Sequence, residues 1–157
     1  MYKIFVDSSD NSLIIKLSKE IEKSLLSNDN CIVYMNNSNN PRYSVQDLDL
    51  DAYIFLQGEV ASGGPEIILE EMSKVSNGLG KEIYKEIRKV YHDENQDKGL
   101  IYKEKVFEKD FEDTPAIVVN IINRDNSKDV EWLSNNTEKI AGAISIGIMA
   151  SFKLKPC

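Results

Sequence analysis

The sequence predicts a three-layer α/β/α fold with a mostly parallel central sheet, in one domain over 1–157. Short apolar runs of strand length alternate with longer segments of helical periodicity, the pattern of helices laid on the faces of a parallel sheet. The run Ala116-Ile-Val-Val-Asn-Ile-Ile122 is almost unbroken in apolar character, as a strand buried on both faces requires. No internal repeat or low-complexity linker divides the chain.

The elements follow in order. Residues 3–7, Lys-Ile-Phe-Val-Asp, read as a buried first strand, and Ser8 to Ser12 as a polar turn. A helix is expected over 13–27, where Leu13, Leu17, Ile21 and Leu25 recur every four residues and Ile14 widens the stripe. Asn28, Asp29 and Asn30 stop it, and 31–35 form the second strand. Residues 36–43 read as a loop. In 44–51 the residues Asp47, Asp49 and Asp51 alternate with Leu48 and Leu50, which suits a solvated polar edge. The third strand is 52–57.

A Gly63-Gly64-Pro65 turn leads to a short strand over 66–69. The second helix is expected over 73–91, with Val75, Leu79, Ile83, Ile87 and Val90 as its stripe. Alternating Lys and Glu in 100–107 predict an exposed strand. Thr114-Pro115 opens the strong strand, Asn126 or Ser127 starts a short helix through Trp132 and Leu133, and Thr137 caps a last helix carrying Ile140, Ile144, Ile148 and Met149. The tail from Lys153 to Cys157 reads as loose.

Composition excludes several functions. The 157 residues are 41% apolar and 29% charged, a globular balance that can bury a core without cross-links. Nineteen Lys and Arg against twenty-six Asp and Glu leave a net charge of -7, with no basic stripe, so nucleic acid and anionic membrane surfaces are poor partners. No stretch approaches the roughly 20 apolar residues that span a bilayer. The first residues follow a strand pattern rather than that of a secretory signal, which predicts a cytoplasmic protein or one exported by another route. Two cysteines do not make a disulfide scaffold: Cys31 sits in an apolar run and reads as a core residue, and Cys157 is the last residue.

Familiar catalytic motifs are missing. Gly63-Gly64 is followed by Pro rather than Gly-Lys-Ser, so it is no P-loop. There is no Gly-x-Ser-x-Gly elbow. His92, the one histidine, follows the second helix and reads as a solvated residue favoured by the helix dipole. The Asp47, Asp49, Asp51 trio has Leu between its members and no Gly turn, unlike a calcium loop.

Several strings nevertheless resemble the zinc-dependent N-acetylmuramoyl-L-alanine amidases of the third amidase family. Ile4-Phe-Val-Asp7, followed by Ser8-Ser-Asp10, stands where that family has a strand and Asp-Pro-Gly-His. Phe55-Leu-Gln57-Gly-Glu59 stands for Ser-Ile-His-Ala-Asn, and Gly64-Pro-Glu66 for Gly-x-Glu. Pro115-Ala-Ile-Val-Val-Asn120 is similar to Pro-Ala-Val-Leu-Val-Glu, and Asn126-Ser-Lys-Asp129 to the family's Asn-x-x-Asp helix. The closing run from Lys139 to Ile148, Lys-Ile-Ala-Gly-Ala-Ile-Ser-Ile-Gly-Ile, is the most specific piece.

The resemblance implies an amidase-like fold whose chemistry has been exchanged residue by residue. The family holds zinc with two His and one Glu and moves protons with a second Glu. The first His falls on Asp10, the second on Gln57 and the catalytic Glu on Asn120; no residue answers to the Glu ligand. Gln is a weak zinc ligand, and Asn cannot act as a general base. The resemblance therefore implies no zinc cofactor, no catalytic residue, and a polar pocket of Asp10, Gln57, Glu59, Glu66 and Asn120 at the carboxyl ends of the strands. Asp7, Asp10 and Glu59 offer the alternative of a weak Mg²⁺ or Ca²⁺ site. The implied function is a non-catalytic binding or structural role in peptidoglycan metabolism, sporulation, or an envelope or phage assembly. Its partner would be a protein or a peptidoglycan fragment. The alternative is an active amidase with an atypical metal site that cleaves the lactyl-Ala amide bond.

Overall fold

A computed structural model of the chain describes residues 1–36, 48–58, 64–93, 99–107, 111 and 113–154. The elements run β1 (Tyr2–Ser8), α1 (Ser12–Leu26), β2 (Cys31–Met35), β3 (Ala52–Gly58), β4 (Glu66–Glu70), α2 (Ser76–Val90), β5 (Leu100–Lys103), β6 (Ala116–Ile122), α3 (Ser127–Asn135) and α4 (Thr137–Ser151). The strands form one six-stranded sheet in the order β2-β1-β3-β6-β4-β5. The strands β2, β1, β3 and β6 are mutually parallel. β4 runs antiparallel to β6, and β5 runs parallel to β4. The expected mixed α/β architecture, a mostly parallel sheet flanked by helices, is what the chain adopts.

Successive side chains of a strand point to opposite faces, which divides the core in two. Ile4, Val6, Ile54, Leu56, Ile67, Leu69, Ile117, Val119 and Ile121 join the helix stripes in the larger cluster. From α1 this cluster takes Ile14, Leu17, Ile21 and Leu25; from α2, Leu79, Ile83 and Ile87. α4 packs against both α1 and α2, and its own face is buried from Thr137 to Met149 at helical spacing. The α2–α4 crossing depends on Gly147. A Cβ there would lie 2.5 Å from the Ile83 Cα, so only a residue without one lets the backbones meet. The opposite sheet face carries a smaller aromatic cluster: Phe5, Leu50, Tyr53 and Ala116 are buried, with Tyr34, Leu48, Phe55, Phe107 and Phe111 against them. The buried apolar residues of the described helices join the larger cluster.

Several boundaries differ from expectation, each for a local reason. β5 ends at Lys103 rather than 107, because the N–H groups of Val106 and Phe107 both donate to Glu70 Oε1 at 3.0 Å instead of to a ladder. Val75 precedes α2 and is 43% exposed, so it belongs to no stripe. Thr137 does not cap α4; it is the first helical residue, and its hydroxyl donates to the Leu133 carbonyl at 2.8 Å. Asn11 and Asn126 cap α1 and α3 through side-chain oxygens that accept two backbone N–H groups each. Asp51 is not a solvated edge: its carboxylate accepts the Lys3 N–H at 2.8 Å, and its own N–H donates to the Lys3 carbonyl. Asp47, Glu59, Gly63 and Cys157 lie outside the described residues. The tail is anchored as far as Leu154, which packs on the core, and Phe152 stacks on Tyr2 with centroids 4.3 Å apart.

Candidate binding site

Parallel strands place their carboxyl ends along one edge, so β1, β3 and β6 deliver their last side chains to the same rim. There Gln57 pairs in register with Asn120 across β3–β6, and Asn120 pairs with Glu66 across β6–β4. Register partners share a face, so three polar side chains stand in a row across three strands. The Asn120 Nδ2 donates to Glu66 Oε1 at 2.8 Å, and Asn120 and Glu66 are both buried. Gln57 is half-buried beside them. Asp10 follows the turn in which the Ser9 N–H donates to the Leu56 carbonyl, and it is exposed. The sheet thus brings Gln57, Asn120 and Glu66 together, while Asp10 stands in solvent on the same edge.

Gln57, at one end of the row, lines a cavity of about 610 Å³ on the aromatic face. Tyr53, Phe55, Ile68 and Val118 form its floor, and Val106, Phe107 and Phe111 its far wall. Tyr53 packs on Phe111 at 4.6 Å and edge-on to Phe107 at 5.6 Å. The Tyr53 hydroxyl donates to Asp7 Oδ2 at 2.8 Å, and Asp7 Oδ1 accepts the Ser8 N–H. Burial, followed by the Asp7 charge and that hydrogen bond, pushes the Tyr53 phenol well above its ordinary pKa, so it stays a neutral donor. The polar lining is Asn36 and Asp7 toward β2 and β1, Gln57 in the middle, and Lys103 and Lys105 at the β5 end.

A second cluster lies just past the end of β6. Asp129, in the first turn of α3, is fully buried and accepts three hydrogen bonds. The Tyr91 hydroxyl reaches Oδ1 at 2.5 Å, His92 Nε2 the same oxygen at 2.6 Å, and the Asn123 N–H reaches Oδ2 at 2.8 Å. Trp132 packs edge-on to Tyr91, and its indole N–H donates to the Val90 carbonyl. His92 is exposed just after α2, as expected, but its ring is also tied to α3 through Asp129. Burial, aided by the bond to Asp129, raises the Tyr91 pKa well above the ordinary phenol value. Sequence reading missed this cluster because its members lie 37 and 38 positions apart; the Asn126-x-x-Asp129 cap pattern was its one local trace.

Among the described residues, no group of three or more His, Cys, Asp and Glu is placed to hold a metal ion. No helix among them is long and apolar enough to cross a membrane.

The architecture matches a defined class of solved structures, the N-acetylmuramoyl-L-alanine amidases. The catalytic domain of CwlV, such an amidase from Bacillus (Paenibacillus) polymyxa var. colistinus, superposes with a TM-score of 0.79 at 16% identity, over 99% of this chain and 100% of that one. The CwlD amidase from Clostridioides difficile, solved in complex with the GerS lipoprotein, gives 0.78 at 15% identity, over 98% and 99%. The amidase Ami1 from Mycobacterium abscessus gives 0.78 at 11% identity, over 96% and 98%. No protein-family model matches the sequence, and no curated protein matches it. The likeness is one of fold.

Proposed function

We propose that this chain is an amidase-fold protein of peptidoglycan metabolism that acts by binding rather than by hydrolysis. The observation that carries the reading is the Asn120–Glu66 hydrogen bond beside Gln57. The resemblance puts the amidase general base at Asn120, and a carboxamide is too weak a base to accept a proton near neutral pH. Its Nδ2 is already committed to Glu66. The resemblance puts a zinc ligand at Gln57, a neutral amide, and another at Asp10, an exposed carboxylate. His92 is held by Asp129. This donor set does not fit zinc.

Amidase-fold neighbours support the link to peptidoglycan, and the lipoprotein complex of one of them supports a protein partner for this chain. The cavity of aromatic floor and polar ends is where a ligand would sit.

The experiment joins metal content to hydrolysis. The protein is equilibrated with zinc, desalted, and its metal measured by inductively coupled plasma mass spectrometry. In parallel, purified sacculi are incubated with it and released peptides are quantified. Little retained zinc and no released peptide are expected. Near-stoichiometric zinc with release of stem peptides would overturn the reading in favour of an active amidase with an atypical site.

A further inference from the structure

The sheet ends at β2, and that edge is unguarded. Its residues, Cys31-Ile-Val-Tyr-Met35, include no charge and no Pro, the usual devices that keep an edge strand from pairing. The other edge strand, β5, is shorter and ends on Lys103. In a parallel ladder, alternate residues of a strand bond to its neighbour. The Tyr2 N–H donates to the Asn30 carbonyl at 2.7 Å, so Asn30, Ile32 and Tyr34 point their backbone groups at β1. Val33 and Met35 turn theirs outward. Among the described residues no hydrogen bond reaches the Val33 N–H, the Val33 carbonyl or the Met35 N–H.

One flank of α1 lies above this edge. The helix packs over β1 and β2. α4 packs between α1 and α2, and α2 lies over β4 and β6, so α4 flanks α1 on the side away from the free edge. Lys16 and Glu20 border the α3–α4 junction, and Asn28 meets Met149, which identifies the flank turned to α4. The opposite flank holds Ile15, Lys19, Glu22 and Leu26, spaced four, three and four residues apart. Ile15 and Glu22 are half-buried, Lys19 is exposed, and Leu26 is 53% exposed. The order is palindromic. Set antiparallel against a copy of itself, Ile15 meets Leu26 and Lys19 meets Glu22, twice over.

We propose that the β2 edge and this flank of α1 form the interface of a two-fold homodimer. The axis stands perpendicular to the sheet beside Val33. Each Val33 N–H donates to the Val33 carbonyl of the second copy, and each Met35 N–H to the Cys31 carbonyl of the second copy. The two sheets become one, with both aromatic faces on the same side. The two α1 helices then lie two strand spacings apart, about 10 Å at about 4.8 Å each. Packed helices sit about 8–10 Å apart, so the flanks touch. Strand and helix are self-complementary about one axis, which selects a second copy as the occupant. A foreign strand would find the edge but not the charge order. The strand pair spans five residues and the helices add one flank, a modest interface, so the expected dissociation constant is on the order of 10 μM.

The test is sedimentation equilibrium of the full chain from about 1 to 500 μM, a range that brackets this affinity. A monomer–dimer equilibrium is expected. Lys19→Glu and Glu22→Lys should each weaken the dimer about tenfold or more, by setting like charges opposite each other. Mixing the two single variants should restore association as a heterodimer, and combining both changes in one chain should restore the homodimer. These rescues separate the interface from damage to the fold, which no mixing repairs. Val33→Pro removes an N–H that the monomer leaves unused, at an edge where Pro is tolerated, and should abolish the dimer. Val33→Thr keeps that N–H and should retain it. A monomer throughout the range, a dimer indifferent to the charge variants, or no rescue on mixing would overturn the proposal.

Discussion

Asn120 and Glu66 face each other across an antiparallel strand pair and share one hydrogen bond of 2.8 Å, nearly sealed from water. The bond joins a donor amide to an acceptor carboxylate, so the pair depends on residue 120 being an amide. Asn120→Asp removes the donor and sets two carboxylates together. It should cost about 2–4 kcal/mol at pH 7.5 by loss of a buried bond and like-charge repulsion. One member of the new pair then has a folded-state pKa above its unfolded value, so the lost stability returns as pH falls toward 4 and is lost again as pH rises. Urea denaturation at pH 7.5 and 5 measures both. A variant as stable as the parent at pH 7.5 would show the pair to be solvated.

Asp129 should matter most to stability among the polar residues. It is fully buried and accepts from Tyr91, His92 and Asn123. Asp129→Ala removes the acceptor shared by these three donors and should cost about 3–5 kcal/mol. Asp129→Asn retains shape and one acceptor and should cost less. Equilibrium urea unfolding ranks them, and an Ala variant within 1 kcal/mol of the parent would remove the cluster's structural role.

The α2–α4 crossing makes a contrasting glycine pair. Gly147→Ala drives a methyl into the backbone of Ile83 and Glu82 and should lose about 1–3 kcal/mol or more, as overpacking does. Gly142, one and a half turns earlier on the same helix, has nothing within 4 Å of its would-be Cβ. Gly142→Ala should gain about 0.5–1 kcal/mol from helix propensity. Thermal melts of the two variants should move in opposite directions.

Tyr53 and Tyr91 set the alkaline limit. Both phenols have folded-state pKa values above the unfolded 10.0, Tyr53 through burial and Asp7, Tyr91 through burial and Asp129. Above pH 10 the unfolded chain gives up phenolic protons that the folded chain keeps, so stability falls with rising pH. The slope approaches about 1.4 kcal/mol per pH unit for each tyrosine. Of the seven tyrosines, these two should contribute phenolate absorbance only on unfolding. Tyr53→Phe should shallow the slope of stability against pH between 10 and 11.5; an unchanged slope would place the Tyr53 phenol in contact with solvent.

Local periodicity in the sequence determined the order of strands and helices, because each element's stripe or alternation is written within a few turns of chain. The stripe of Leu17, Ile21 and Leu25 on α1 and the apolar run of β6 needed no partner to be legible. That Gln57 and Asn120 would share one pocket was implied by the family resemblance, and the β3–β6 register sets them side by side. Tertiary structure alone decided the rest. It inserted β4 antiparallel between β6 and β5, which put Glu66 on Asn120 from 54 positions away. It tied the exposed His92 to the buried Asp129, and it gathered Tyr53, Phe55, Phe107 and the two lysines around one cavity. A hydrogen bond or an aromatic contact between distant positions leaves no period in the chain; it exists only once loop closure has set the two segments side by side.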